Sequence, residues 1–166
     1  MKAKLITFLT ALLLAMPFSA HAELLNFFLT DGIRSFSFEL DSNPTPSASS
    51  QNSFQTANFQ AGSSADGVFL ADSFFYTTTD LGGMDIADLA GNELVISQTG
   101  PQIFAGSTAN PMFVAGTYQL ADSVENSRYN TNFRLVITTV PLPASAALVG
   151  LGMFGMGTLR VARLRR

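Results

Sequence analysis

Between residues 23 and 139, apolar and polar positions alternate in short runs. This pattern is typical of β-strands that bury one face. In the run IRSFSFEL, Phe36, Phe38 and Leu40 fall on one face, and serines and a glutamate fall on the other. The preceding run, LLNFFLT, is predicted to be its hairpin partner, joined through the turn dipeptide Asp31-Gly32.

Further strands are predicted in four runs rich in β-branched and aromatic residues. These runs are GVFLADSFFYTTT, ELVISQTGPQ, MFVAGTYQL and TNFRLVITTV, and the first is predicted to hold one or two strands. Residues 41–52 contain two prolines among serines and are predicted to form an exposed loop. Residues 84–89 are also predicted to form a loop, because Gly82-Gly83 and Gly91-Asn92 bracket them closely.

Strand-like runs about ten residues apart, without an amphipathic helix between them, predict an all-β ectodomain over residues 23–139. The expected architecture is an antiparallel β-sandwich of jelly-roll-like or immunoglobulin-like type. Twelve of the 15 phenylalanines fall in this region, which allows two interpretations: core filling, or a platform for stacking sugars. The chain has no Trp and only three Tyr, a composition that favours core filling.

Residues 1–22 have the three parts of a secretory signal peptide: two lysines, an apolar run and small residues at Ala20 and Ala22. The expected processing is cleavage after Ala22 by signal peptidase. The alternative is an uncleaved membrane anchor, but the apolar run is too short to span a bilayer comfortably.

Charge and composition exclude several kinds of chemistry. Residues 23–143 hold three arginines against all 12 acidic residues, a surface that repels phosphate backbones, so a nucleic-acid partner is not expected. The chain has no Cys, and its only His, His21, lies in the predicted signal peptide. Nucleophilic triads and zinc sites therefore lack their usual residues. No cofactor is expected, and the protein is predicted not to be an enzyme.

Carboxylates are the remaining reactive groups. Four of them surround Gly82-Gly83: Asp80, Asp85, Asp88 and Glu93. They form a weak calcium candidate, because calcium prefers oxygen ligands, but their spacing does not match an EF-hand loop. A solvated acidic turn is the alternative, and no metal site is predicted with them.

The C-terminal residues 140–166 divide into three parts. The first is a proline motif at 140–143 (Val140, Pro141, Leu142, Pro143), in which the prolines hold the chain extended. An apolar, glycine-rich stretch at 144–159 follows and predicts one C-terminal transmembrane helix, although a short one. The tail at 160–166 holds a basic stop of four arginines: Arg160, Arg163, Arg165 and Arg166.

This three-part segment resembles the PEP-CTERM sorting signal of Gram-negative bacteria, in its VPLPA subclass. Leu142 stands where the commoner pattern has a glutamate. The resemblance implies that a membrane enzyme, exosortase, recognises 140–143 and cleaves near it, after which the ectodomain is released or transferred. It also implies export with an inner-membrane intermediate, a final place at the cell surface or in the extracellular matrix, and an association with exopolysaccharide and biofilm.

Three functional hypotheses follow. In the first, the chain is an exported, non-enzymatic surface or matrix protein whose expected partners are signal peptidase, exosortase, the membrane and exopolysaccharide. In the second, it is a secreted module that binds polysaccharide or calcium through exposed aromatics or the loop from Asp80 to Glu93. In the third, which the sequence supports least, it is a hydrolase that depends on two carboxylates.

Overall fold

The computed structural model of the chain describes residues 23–123 and 127–141. Within them lie 11 strands and one short 3-10 helix, Thr78–Asp80. The strands are β1 (Leu24–Thr30), β2 (Ser35–Asp41), β3 (Ala48–Ser49), β4 (Ser53–Ser63), β5 (Gly67–Tyr76), β6 (Met84–Asp88), β7 (Glu93–Thr99), β8 (Phe104–Ser107), β9 (Asn110–Phe113), β10 (Gly116–Asp122) and β11 (Phe133–Thr139).

The β1–β2 hairpin forms as its sequence predicts. Its register pairs Thr30 with Ser35, and the Asp31 carboxylate accepts the backbone N–H groups of Ile33 at 2.9 Å and Arg34 at 2.6 Å. Gly32 has a φ of 92°, a conformation that glycine adopts without steric cost. Local turn chemistry therefore sets the register of the first two strands.

The main sheet closes on itself, and this overturns the predicted β-sandwich. Its strands follow the order β2-β1-β11-β10-β7-β6-β5-β4-β3, and β2 also pairs with β4. That last pairing joins Phe36 to Ser63 and Phe38 to Ala61 and completes an antiparallel barrel of eight strands. A buried inner face alternates with an outer face in a sandwich and in a barrel alike, so the alternation pattern could not distinguish them.

The predicted transmembrane helix is corrected together with the sandwich. Among residues 23–123 and 127–141, no helix is long and apolar enough to cross a membrane. The stretch predicted to form that helix, 144–159, lies outside the described residues.

Two other regions differ from the predictions. Residues 84–88, predicted as a loop, form β6 between β5 and β7. Gly82 and Gly83 lead directly into β6, where the chain passes close to the end of β7. Both have positive φ, and a Cβ on either would come within about 2 Å of the Gly100 or Gln98 carbonyl oxygen, so only glycine fits there. The run MFVAGTYQL, predicted as one strand, divides between β9 and β10.

Phenylalanine fills the barrel, which confirms the core-filling interpretation for most of these rings. Eight are buried: Phe27, Phe36, Phe38, Phe54, Phe75, Phe104, Phe113 and Phe133. Phe27 stacks on Phe38 with ring centroids 4.9 Å apart, and it meets Phe113 edge-on at 4.8 Å. These contacts link β1, β2 and β9, so the β8–β9 hairpin is held against the barrel by apolar packing.

Candidate functional sites at the two barrel ends

The up-and-down order of the strands gives the barrel two different ends. We call one the hairpin end; it carries the connections at 31–34, 64–66, 89–92 and 123–132. We call the other the chain-exit end; it carries the connections at 42–52, 77–83 and 100–115, together with Glu23 and Val140.

The predicted processing motif begins where the barrel stops. The last strand, β11, ends at Thr139, and the Val140 N–H still donates to the Leu24 carbonyl at 2.9 Å. Pro141 has no N–H and cannot continue the ladder, and its side chain is exposed. The chain therefore leaves the sheet between the first two residues of the motif, while Leu142 and Pro143 lie outside the described residues.

The N-terminal end of the ectodomain, at Glu23, lies beside the point where the chain leaves the barrel at Val140. The Glu23 N–H donates to Ser42 Oγ at 3.0 Å, and the Ser42 N–H donates to the Glu23 carbonyl at 2.7 Å. Because β1 and β11 are neighbours, Glu23 and Val140, which adjoin the two predicted processing points, lie together at the chain-exit end. The predicted signal-cleavage residues, Ala20 and Ala22, and the predicted basic stop at 160–166 lie outside the described residues.

The four acidic residues proposed as a weak calcium site divide into two pairs. Asp88 and Glu93 face each other across β6 and β7 at the hairpin end. Arg128 lies between them, with Nη2 2.7 Å from the Glu93 carboxylate and 3.6 Å from that of Asp88. Among the described residues no group of three or more His, Cys, Asp and Glu is placed to hold a metal ion.

Within the hairpin end, Arg128 also reaches the β4–β5 turn. Its Nη1 lies 3.4 Å from Asp66, and the Tyr129 hydroxyl donates to the same carboxylate at 2.8 and 2.9 Å. The Arg34 guanidinium covers the Tyr129 ring at 4.6 Å from its centroid. We call Asp66, Asp88, Glu93, Arg128 and Tyr129 the ionic clamp.

The clamp shifts the titration of its members. The hydrogen bond with Glu93 is the largest cause of the raised pKa of Arg128, and the same bond lowers the pKa of Glu93 below its ordinary value of 4.5. Burial raises the pKa of Tyr129, and its hydrogen bond to Asp66 adds to that effect. At neutral pH Arg128 is therefore cationic and Glu93 anionic, while Tyr129 stays protonated and donates to Asp66, so the clamp holds three connections together through both charge and hydrogen bonding.

The other two acids, Asp80 and Asp85, line a groove on the outer surface that runs from the 77–83 connection at the chain-exit end along β6 and β7 to Ser123, the first residue after β10. The Tyr76 hydroxyl donates to Asp85 Oδ2 at 2.7 Å, and burial, followed by that bond, raises the pKa of Tyr76. The groove has a volume of about 210 Å³. We call it the Tyr76 groove; the side chains on which its chemistry depends are Tyr76, Asp80, Leu81, Asp85, Ser97 and Ser123.

Sequence reasoning missed most of these residues. Tyr76 and Asp85 meet only because β5 and β6 are adjacent, and β6 was predicted as a loop. A correctly predicted β5–β6 hairpin would have brought them together. Nothing in the local pattern marks Arg128 or Tyr129, which reach Asp66 across about 60 residues of chain.

Comparison with known proteins identifies no relative of the chain. No protein-family model matches the chain, and neither the curated proteins nor the solved structures contain a significant match.

Proposed function

We propose that the chain is an exported, non-enzymatic surface or extracellular-matrix protein that exosortase sorts through residues 140–166. In this proposal signal peptidase removes 1–22, and the protein passes through an inner-membrane intermediate. It then reaches the cell surface or the matrix, in association with exopolysaccharide.

The observation that carries this proposal is the place where the motif begins. Val140 makes the last backbone bond of the barrel, and Pro141 ends the ladder. A processing enzyme needs an extended chain without ladder partners, and the second residue of the motif already meets that need. Cleavage beyond Pro141 would leave all 11 strands intact.

The composition of the ectodomain supports a non-enzymatic role. Residues 23–166 contain no His, Cys or Lys, the side chains that usually serve as bases, nucleophiles or metal ligands. The two acids of the Tyr76 groove, Asp80 and Asp85, are accompanied by a tyrosine whose raised pKa keeps it protonated at neutral pH. That tyrosine is therefore a hydrogen-bond donor and not a base.

The test is surface delivery in a Gram-negative host that carries a VPLPA-reading exosortase. The double variant Pro141→Ala/Pro143→Ala should stay in the cell-envelope fraction, whereas the unchanged chain reaches the surface or the medium. The matched control is Pro44→Ala/Pro46→Ala, which removes two prolines with the same spacing from the 42–52 connection. Equal delivery of the Pro141/Pro143 variant and the unchanged chain would refute the proposal.

A further inference from the structure

The Tyr76 groove offers mostly hydrogen-bond acceptors. Asp85 accepts the Tyr76 hydroxyl with one of its oxygens. The Asp80 carboxylate, at the rim, accepts no hydrogen bond from the residues that the structure describes. Each carboxylate can accept about four hydrogen bonds, so both keep most of their capacity for a ligand that brings donors.

A pair of hydroxyls supplies a donor in the same groove. Ser97 Oγ and Ser123 Oγ lie 2.5 Å apart, and Ser97 is only 2% exposed. When the buried Ser97 hydroxyl donates to Ser123, the hydrogen of the exposed Ser123 hydroxyl stays available to a ligand. The groove can therefore donate to a ligand oxygen as well as accept from ligand hydroxyls.

Leu81 adds an exposed apolar surface beside these polar groups. It is 73% exposed and has a φ of 66°, the left-handed region that a leucine rarely adopts. The backbone fixes this conformation, since the Gly100 N–H donates to the Leu81 carbonyl at 3.1 Å and the Gly82 N–H donates to the Thr77 carbonyl at 2.9 Å. Together with the half-buried Tyr76 ring, Leu81 presents a fixed apolar face.

The charge of the groove selects among ligand classes. Of the described residues that line it, none is basic, and Asp80 and Asp85 are both acidic. An anionic ligand would meet repulsion there. A calcium ion takes six to eight oxygen ligands, and two carboxylates supply few of them.

We propose that the Tyr76 groove binds one neutral hexose unit of a glycan. The carboxylates of Asp80 and Asp85 accept the sugar hydroxyls, the Ser97–Ser123 pair donates to a sugar oxygen, and the apolar face of the ring lies on Leu81 and Tyr76. The groove volume is below the roughly 300–1,000 Å³ of pockets for drug-sized ligands, which limits the bound unit to a small one. This inference does not rest on the sorting proposal, because its test uses purified protein.

The test is calorimetric titration of the purified full-length chain with the methyl glycosides of glucose, galactose and mannose. At least one should bind with a dissociation constant on the order of 1 mM, as expected for a small ligand in an open groove. A neutral glucan or galactomannan is the second arm, and it tests whether the groove accepts a unit inside a polymer. Glucuronate and calcium chloride are the third arm and should give no heat at the same concentrations.

Two variants locate the binding. Asp80→Asn should weaken sugar binding about tenfold or more, since it removes a charged acceptor. Its matched control is Asp41→Asn, the same change on the exposed end of β2, which should bind as the unchanged chain does. Leu81→Gly should weaken binding about threefold to tenfold with an equal or higher melting temperature, so that weakened binding cannot be ascribed to unfolding.

Every outcome decides the matter. Binding of a neutral sugar that Asp80→Asn and Leu81→Gly both weaken supports the proposal, whether the ligand is the free glycoside or the polymer. The proposal is overturned by no binding in either neutral-sugar arm, by a preference for glucuronate or calcium, or by neutral-sugar binding that either variant leaves unchanged.

Discussion

The two ends of the barrel are stabilised by different forces. Every ion pair recorded among residues 23–123 and 127–141 lies at the hairpin end. At the chain-exit end, Phe104 and Phe113 of the β8–β9 hairpin pack against rings inside the barrel. The hairpin end combines these ion pairs with an aromatic cluster of Phe36, Tyr129 and Phe133, whereas the described part of the chain-exit end has apolar packing and no ion pair.

Under the proposed function, this difference places the ionic clamp at the opposite end of the barrel from the residues proposed to be processed. The connections of the hairpin end are tied to each other by Arg128 and Tyr129. The chain-exit end carries the 77–83 connection that lines the Tyr76 groove, the start of the predicted processing motif and the two longest connections. Because its apolar packing does not depend on charge, that end can present carboxylates and an extended chain without weakening its own support.

The largest expected effect comes from removing the apolar packing. Phe113 is 5% exposed and meets the rings of Phe27 and Phe75 edge-on, each at 4.8 Å. Phe113→Ala should lower the free energy of unfolding by about 3–5 kcal/mol, measured by urea denaturation. The control is the neighbouring Met112→Ala, whose side chain is 50% exposed and which should cost less than about 1 kcal/mol. Equal losses would mean that the apolar packing of the β8–β9 hairpin does not stabilise the barrel.

The ionic clamp should contribute less to the free energy of unfolding than the packing of Phe113. Arg128→Ala leaves Asp66, Asp88 and Glu93 close together without their cation, and at low salt it should lower the free energy of unfolding by clearly less than Phe113→Ala does, because the pairs are partly exposed. The loss should shrink in 1 M salt, which screens the charges, whereas the Phe113→Ala loss should not. Arg134→Ala, an outward-facing arginine on β11, is the control and should have almost no effect. A salt-independent loss would argue against a charge-based clamp.

Acid should loosen the hairpin end before the chain-exit end. Glu93, and Asp31 in the β1–β2 turn, both have a pKa below their ordinary values of 4.5 and 3.8. For Asp31, burial alone would raise the pKa, but the backbone N–H groups of Arg34 and Ile33 and the Arg34 guanidinium lower it overall. A lowered folded-state pKa gives stability that is present above the unfolded value and is lost as the pH falls through the folded value.

Hydrogen exchange at pH 6 and pH 3, corrected for intrinsic rates, would measure this effect. Amides at 31–36 and 88–95 should lose protection at pH 3, and those at 53–56 and 73–76 should keep it. In Arg128→Ala the Glu93 contribution should already be missing at pH 6. Uniform loss across both ends would show that the carboxylates do not act locally.

The smallest expected effect is a gain in stability. Leu81→Gly places glycine at a φ of 66°, which a leucine adopts only at a steric cost, and should stabilise the barrel by about 0.5 kcal/mol. Ile33→Gly is the matched control at the hairpin end. That residue is 90% exposed and does not have a positive φ, so the added chain entropy should destabilise the protein slightly. Thermal denaturation of both variants should give shifts of opposite sign, and shifts of the same sign would mean that Leu81 is not strained.

Local pattern explains how much of this fold the sequence could predict. Strands β1, β2 and β11 follow from alternation and turn residues, as in the clean in-and-out order of Phe133 to Ile137. Strand β7 follows from its β-branched residues, since its central residues are buried without alternation. Strand β4 is not predicted by its sequence, because a bulge at Asn58, with a φ of 60°, interrupts the period-two alternation of its apolar residues. Closure depends on the non-local β2–β4 pairing, which no short window of sequence contains.

The candidate sites were predictable to different degrees. The proline motif is contiguous in sequence, so its residues could be named directly. The ionic clamp and the Tyr76 groove join residues from several strands, and the four acids that are neighbours in sequence separate into both sites. Charge proximity along a chain is a poor guide to proximity in a barrel, because adjacent strands run in opposite directions.

The measurement that tests the sorting proposal most directly is the intact mass of the protein from its native host, with and without exosortase. The account predicts a mass that begins at Glu23 and ends close to the Val140–Pro143 motif when the enzyme is present. It predicts a mass that extends to Arg166 when the enzyme is absent. A mass ending at Arg166 in both strains would contradict it.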